Sequence, residues 1–180
     1  MKKVKNLKKI VLVFWIWIFS MTTIEAIAIA ERNLVAPVEK ELLAQAIYGE
    51  ARNQGKEGME AVGNVVLNRL NKNTYFGGTL EEVIKKPEHF SVFNPETSPD
   101  KQWNQDIIDN YEETIAATKD DPYFIEALEI AEGLLTGKIE DNTGGATHYY
   151  NPDITTPWWA DSPKMTKLKK IGNHTFLLEA

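Results

Sequence analysis

The 180-residue chain has no cysteine, which excludes disulfides, thiolate zinc sites and a cysteine nucleophile. It has no surplus of cations either: 20 Lys and Arg stand against 26 Asp and Glu. Five of those lysines fall in residues 1–30 beside a single acid, Glu25. Residues 31–180 therefore hold 15 basic and 25 acidic residues, a net charge of −10. So acidic a body argues against nucleic acid as a partner, because phosphate binding needs clustered cations. No apolar run reaches the roughly 20 residues of a membrane-spanning helix. Also missing are an HExxH zinc motif, a GxSxG nucleophile elbow, a phosphate loop, a dinucleotide fingerprint and any internal repeat. The histidines His89, His148 and His174 stand 59 and 26 residues apart, unlike the close spacing of most metal-ligand motifs.

What is present begins with a targeting pattern. Residues 1–9 are basic, residues 10–19 are an unbroken apolar stretch, and Ala26-Ile-Ala28 and Ala28-Ile-Ala30 offer small-residue cleavage sites. That order is the layout of a secretory signal. Residues 1–30 are read as a signal peptide cut after Ala28 or Ala30; the alternative is an uncleaved anchor attaching the protein to the membrane through residues 10–30. In both cases residues 31–180 are the working domain, exported to the periplasm, cell wall or extracellular space. About 150 residues suffice for one domain with its own core.

Periodicity predicts a helix over 38–51, with Leu42, Leu43, Ala46 and Ile47 at helical spacing, and a second over 57–71 on Met59, Val62, Val66 and Leu70. Thr79-Leu-Glu-Glu82 reads as a capping box opening a short helix that Pro87 stops. Asp121-Pro122 starts a further helix and Gly137 ends it, with Phe124, Ala127, Leu128, Ala131 and Leu135 as its buried stripe. Residues 88–104 read as loop. After Gly144-Gly145 the period changes: residues 146–151 are aromatic and β-prone, and His174, Phe176 and Leu178 alternate with their neighbours. These two segments are expected to pair. The fold class is α+β, mainly helical with a small β element near the C-terminus.

Glu50 is the first candidate for chemistry. It lies three residues after Ile47 and seven after Leu43, on their inward stripe. A carboxyl group in apolar surroundings favours its neutral form, which a general acid requires; the alternative is a structural pair with Arg52 or Arg69. The second candidate is the loop Phe90-Ser-Val-Phe-Asn94 with Trp103, where aromatic faces and amides suit sugars; otherwise Phe90 and Phe93 only plug the core. The third comprises Gly145-Ala-Thr-His-Tyr-Tyr-Asn151, Pro157-Trp-Trp-Ala160 and Gly172-Asn-His174, either a cleft wall or an aromatic corner closing the fold. Zinc held by His89, His148, His174 and Glu50 would require ligands from distant loops. No metal or cofactor is expected.

Four blocks in this order resemble the SleB-type cell wall hydrolases. They are Leu-Ala-Gln-Ala-Ile-Tyr-Gly-Glu-Ala-Arg at 43–52, Gly-Met-Glu-Ala-Val-Gly-Asn-Val-Val-Leu-Asn-Arg at 58–69, Phe-Ser-Val-Phe-Asn at 90–94, and the aromatic segments from Gly145 to Phe176. The resemblance covers roughly residues 40–178. It implies a lysozyme-like fold related to lytic transglycosylases, with Glu50 as catalytic acid and Ser91, Asn94 and Thr147 lining the glycan cleft. Phe93, His148, Tyr149, Tyr150 and Trp158 complete the expected substrate-binding set. The expected reaction is cleavage of the β-1,4 bond between N-acetylmuramic acid and N-acetylglucosamine, by a monomer acting on peptidoglycan strands. Two alternatives stand beside it. One is a metal-dependent amidase using His148 and His174. The other is a non-catalytic glycan-binding module in which Trp103, Trp158 and Trp159 stack sugars and Glu50 is structural.

Overall fold

The computed structural model describes residues 37–72, 75–93, 118 and 120–180. The targeting segment, Asn94, Trp103 and the acidic stretch that follows them lie outside the described residues.

Helix α1, Pro37–Ala51, opens on a proline whose fixed φ suits a first turn. Its Leu43, Ala46 and Ile47 are completely buried. Helix α2, Gly55–Lys72, turns Met59, Val62 and Val66 inward. Short α3, Leu80–Lys85, carries the expected capping box in both halves. Thr79 Oγ1 accepts from the Glu82 amide at 3.2 Å, and Glu82 Oε2 accepts from the Thr79 amide at 3.2 Å. A 3₁₀ turn, Ser91–Phe93, follows. Helix α4, Pro122–Leu135, is capped by Asp121, whose Oδ1 accepts from the Tyr123 amide at 2.8 Å. All four helices contribute to one core in which α1 is central and touches α2, α3, α4 and the 3₁₀ turn. Each large side chain fully buried there contributes about 1.5–3 kcal/mol of apolar transfer.

The sheet has the order β1-β3-β2, from His148–Tyr150, Met165–Ile171 and His174–Glu179, and both pairings are antiparallel. The pairing of the 146–151 and 174–178 segments is as the alternation predicts, with Tyr149 opposite Phe176. β2 is an addition that the sequence reading does not contain. It is an edge strand with three lysines and a bulge between Lys167 and Lys169, so it shows no clean alternation. One face of the sheet packs on α2, where Ala61 and Val65 meet Ala146, Ile171 and Phe176. Tyr149 touches both this cluster and the helical core.

The entry to β1 is held by Asp141. Its carboxylate accepts from the Thr143 amide and hydroxyl, the Gly145 amide and Asn68 Nδ2, at 2.6–3.2 Å. Burial pushes this carboxyl up, but the hydrogen bonds outweigh it and leave the group below its ordinary range. Among the described residues no helix is long and apolar enough to cross a membrane.

Candidate active site

Tyr48, Gly49 and Glu50 occupy the last turn of α1, and each has a distinct part in the site. The Tyr48 hydroxyl donates to Asp121 Oδ2 at 2.8 Å, and its ring meets Phe124 edge-on at 5.6 Å. One carboxylate thus caps α4 and fastens the end of α1 to it. Gly49 lies against Val92: a Cβ built on it would stand 2.4 Å from Val92 Cγ2 and 2.7 Å from Val92 Cβ. Only a residue without a side chain lets the 3₁₀ turn come this close.

That approach puts the turn on Glu50. Oε1 accepts from Ser91 Oγ at 2.8 Å and from the Val92 amide at 3.0 Å. Oε2 accepts from the Tyr149 hydroxyl at 2.8 Å. Burial first, then the nearby Glu50 charge, raises the Tyr149 hydroxyl well above its usual value, so it stays a donor. A carboxylate has about four lone-pair positions. Donors among the described residues occupy three, which fixes the group's orientation. Glu50 is half-buried and Ser91 is exposed, so the site opens on the Ser91 side.

Arg69 braces both walls. Its Nε donates to Thr147 O at 2.7 Å, and its guanidinium lies 5.3 Å from the Phe76 ring centre and 4.9 Å from that of Phe90. Thr147 leads into β1 and Phe90 precedes Ser91, so one buried side chain spaces the segments that supply all three donors. The sequence offers Arg69 as a partner for Glu50; the structure engages it with Thr147 and two rings.

The remaining predicted residues divide. Thr147 is fully buried; its hydroxyl accepts from the Glu179 amide at 3.2 Å and lies 3.0 Å from His148 Nδ1, which makes it a strand fastener. Phe90 is in the core and Phe93 is half-buried against it. His148 and Tyr150 leave β1 on the side opposite Tyr149 and pack on Trp159 at 5.0 and 6.0 Å. Trp158 is 91 % exposed. Among the described residues no three His, Asp or Glu side chains are grouped to hold a metal ion. His174 instead stacks on Tyr149 at 4.9 Å, and burial holds it below its ordinary value. Gly49 was legible only as part of a block, since close approach leaves no periodic signal, and Arg69 was legible as a charge partner but not by its cation–ring contacts.

The sequence model of the cell wall hydrolase family matches residues 53–177. The chain belongs to the cell wall hydrolase family. Among curated relatives, the spore cortex-lytic enzyme of Halalkalibacterium halodurans is 35 % identical over 136 residues, 76 % of this chain and 33 % of that protein. That of Bacillus subtilis is 32 % identical over 138 residues, 75 % of this chain and 36 % of that one. The chain spans about a third to two fifths of the length of the curated relatives it matches. The catalytic domain of the germination-specific lytic transglycosylase SleB from Bacillus anthracis superposes with a TM-score of 0.56 at 27 % identity, covering 79 % of this chain and 95 % of that domain. The SleB catalytic domain of Bacillus cereus gives 0.54 at 28 %, covering 80 % and 92 %. The α+β fold of this cell wall hydrolase is therefore that of SleB catalytic domains. The family match opens three residues after Glu50, so the case for that carboxylate rests on its surroundings.

Proposed function

We propose that this cell wall hydrolase cleaves the β-1,4 bond between N-acetylmuramic acid and N-acetylglucosamine as a lytic transglycosylase, with Glu50 as acid and then base. The observation that carries the reading is the Glu50 cluster: one half-buried carboxyl group oriented by a serine, an amide and a tyrosine. Its proton passes to the glycosidic oxygen as the bond to the muramoyl anomeric carbon breaks. The resulting carboxylate takes the proton of the muramoyl 6-hydroxyl, whose oxygen closes on that carbon as a 1,6-anhydro ring. No water enters and no second carboxylate is needed. The groups hydrogen-bonded to Glu50 among the described residues include none, whereas most hydrolases of this bond use two. Ser91, with Phe93 and Asn94 beyond it, is the edge proposed to meet the sugar.

The likeness to spore cortex-lytic enzymes and to a lytic transglycosylase domain supports the same chemistry, and cell wall action supports export through residues 1–30 ahead of a catalytic domain at 31–180. The test is a digest of purified peptidoglycan by the chain, with mass spectrometry of the products. Fragments ending in 1,6-anhydro-muramic acid, lighter by one water than hydrolysed ends, are expected. Glu50→Gln should lower their release by at least about 100-fold. Reducing ends in their place would refute the transglycosylase route, and an active Glu50→Gln chain would refute the role of the carboxylate.

A further inference from the structure

Strand register divides the C-terminal residues between two faces of the sheet. His174 and Phe176 join Tyr149 on the face turned to α2 and Glu50. Alternation sends Thr175 and Leu177 the other way, with the residues paired to them. Thr175 is flanked by Tyr150 and Lys170, and Leu177 by His148 and Lys167. The bulge supplies the extra residue that keeps Lys170 in phase with Lys167. The centre of this face is covered, since Leu177 is fully buried and His148 meets Phe76 as well as Trp159; what it offers to solvent is half-buried Tyr150 beside Trp159 at the β1 edge and exposed Lys167 and Lys170 at the β2 edge.

The cations are out of proportion to the chain. Four of the 15 basic residues in 31–180 fall within residues 164–170, and no acid lies in 162–178. Lys167 pairs with Asp161 at 3.1 Å, while the Lys170 ammonium has no hydrogen bond or ion pair among the described residues. Lysines on an edge strand also discourage strand-to-strand aggregation. That role leaves unexplained why Trp158, one residue from Trp159, stands 91 % exposed. An exposed indole suits the C–H face of a sugar ring, and ammonium groups suit the free carboxylates of peptidoglycan stem peptides. On a body of net charge −10, a local basic strip also orients an anionic polymer that the rest of the surface repels.

We infer that the outer face of the sheet, through Tyr150, Trp158, Lys167 and Lys170, binds anionic cell wall glycan as a contact separate from the Glu50 cluster. The inference rests on the peptidoglycan reading of that cluster, and two substrates separate the two. Co-sedimentation of the full chain with insoluble peptidoglycan sacculi reports the outer face. Turnover of a soluble muropeptide tetrasaccharide reports Glu50. Lys170→Glu is expected to lower the sacculus-bound fraction several-fold at low salt, with the difference closing as salt is raised, and to leave soluble turnover unchanged. Trp158→Ala is expected to lower binding by about tenfold at every salt concentration. Unchanged sacculus binding in both variants would overturn the inference, reducing the lysines to a guard on an edge strand. Parallel loss of soluble turnover in Lys170→Glu would overturn it by moving the face into the cleft. Preference for phosphatidylglycerol vesicles over sacculi would overturn it in favour of a lipid surface. A parent chain that binds sacculi and releases no product would refute the cleavage reading alone.

Discussion

Gly49→Ala isolates the close approach on which the Glu50 cluster depends. The added Cβ would lie 2.4 Å from Val92 Cγ2, 2.7 Å from Val92 Cβ and 3.3 Å from Val92 Cγ1, where ordinary contact begins at 3.4 Å. Val92 is 1 % exposed and β-branched, so it has no free rotamer to escape into. The 3₁₀ turn must therefore retreat by about 1 Å, which takes the Val92 amide out of bonding range of Glu50 and carries Ser91 with it. Overpacking of this kind costs about 1–3 kcal/mol, and the better helix propensity of alanine offsets about 1 kcal/mol. The net loss of stability is about 0–2 kcal/mol, a fall in Tm of at most about 8 °C for a domain of this size. Losing a hydrogen bond to a charged group costs about 1.5–3 kcal/mol at the site, or about 10- to 100-fold in turnover. Thermal unfolding and peptidoglycan turnover, measured on one preparation, should show activity falling further than stability. Val92→Ala in the same chain removes both Cγ contacts but leaves the 2.7 Å one, so it should restore only part of the rate. Full turnover from a Gly49→Ala chain as stable as its parent would refute the reasoning.

Two further outcomes follow from the same geometry. Tyr149→Phe keeps the ring on His174 and Phe176 but removes the donor to Glu50 Oε2; it should lower turnover by about 10- to 100-fold while costing about 1 kcal/mol or less in urea unfolding. Burial, then the Arg69 charge, holds His148 at about 4, whereas the unfolded chain takes up that proton near its ordinary value of about 6.5. The folded state thus binds fewer protons in this window, and its stability, full above the unfolded value, falls as the pH drops from about 6.5 toward 4. His89, held at about 4 by burial and the same Arg69 charge, contributes in the same window, so His148→Gln should reduce that slope without abolishing it, and an unaltered slope would refute the assignment.

Helices were legible wherever capping chemistry and a helical stripe coincided. Thr79 and Asp121 announce α3 and α4 by the side-chain bonds they make in the structure, and α1 and α2 fall within two residues of their periodic segments. β2 was not legible because a bulged, lysine-rich edge strand has neither alternation nor an apolar face. Its one signal was Gly172-Asn173, a two-residue hairpin loop in which Gly172 takes a φ of 56°. In the candidate site, the inward stripe pointed to Glu50, and the family blocks added Ser91 and Tyr149. What composition could not separate was Tyr149 from its neighbours: three consecutive aromatic residues look alike until strand pleat assigns alternate ones to opposite faces. Thr147 misleads for a related reason, since a hydroxyl beside a cleft and a hydroxyl tying two strands together have the same letter.

The bond from Tyr149 to Glu50 spans 99 residues of chain, and β1 is kept in place by β3, which ends at Glu179. The acid and its serine and amide donors come from residues 50–92, but the phenol that completes the cluster waits on the last strand. A product truncated within β3 would retain the helical core and Glu50, yet leave the carboxyl group untethered on one side. The geometry of the candidate active site therefore depends on pairing of the C-terminal strand, through a contact that the helices alone do not supply.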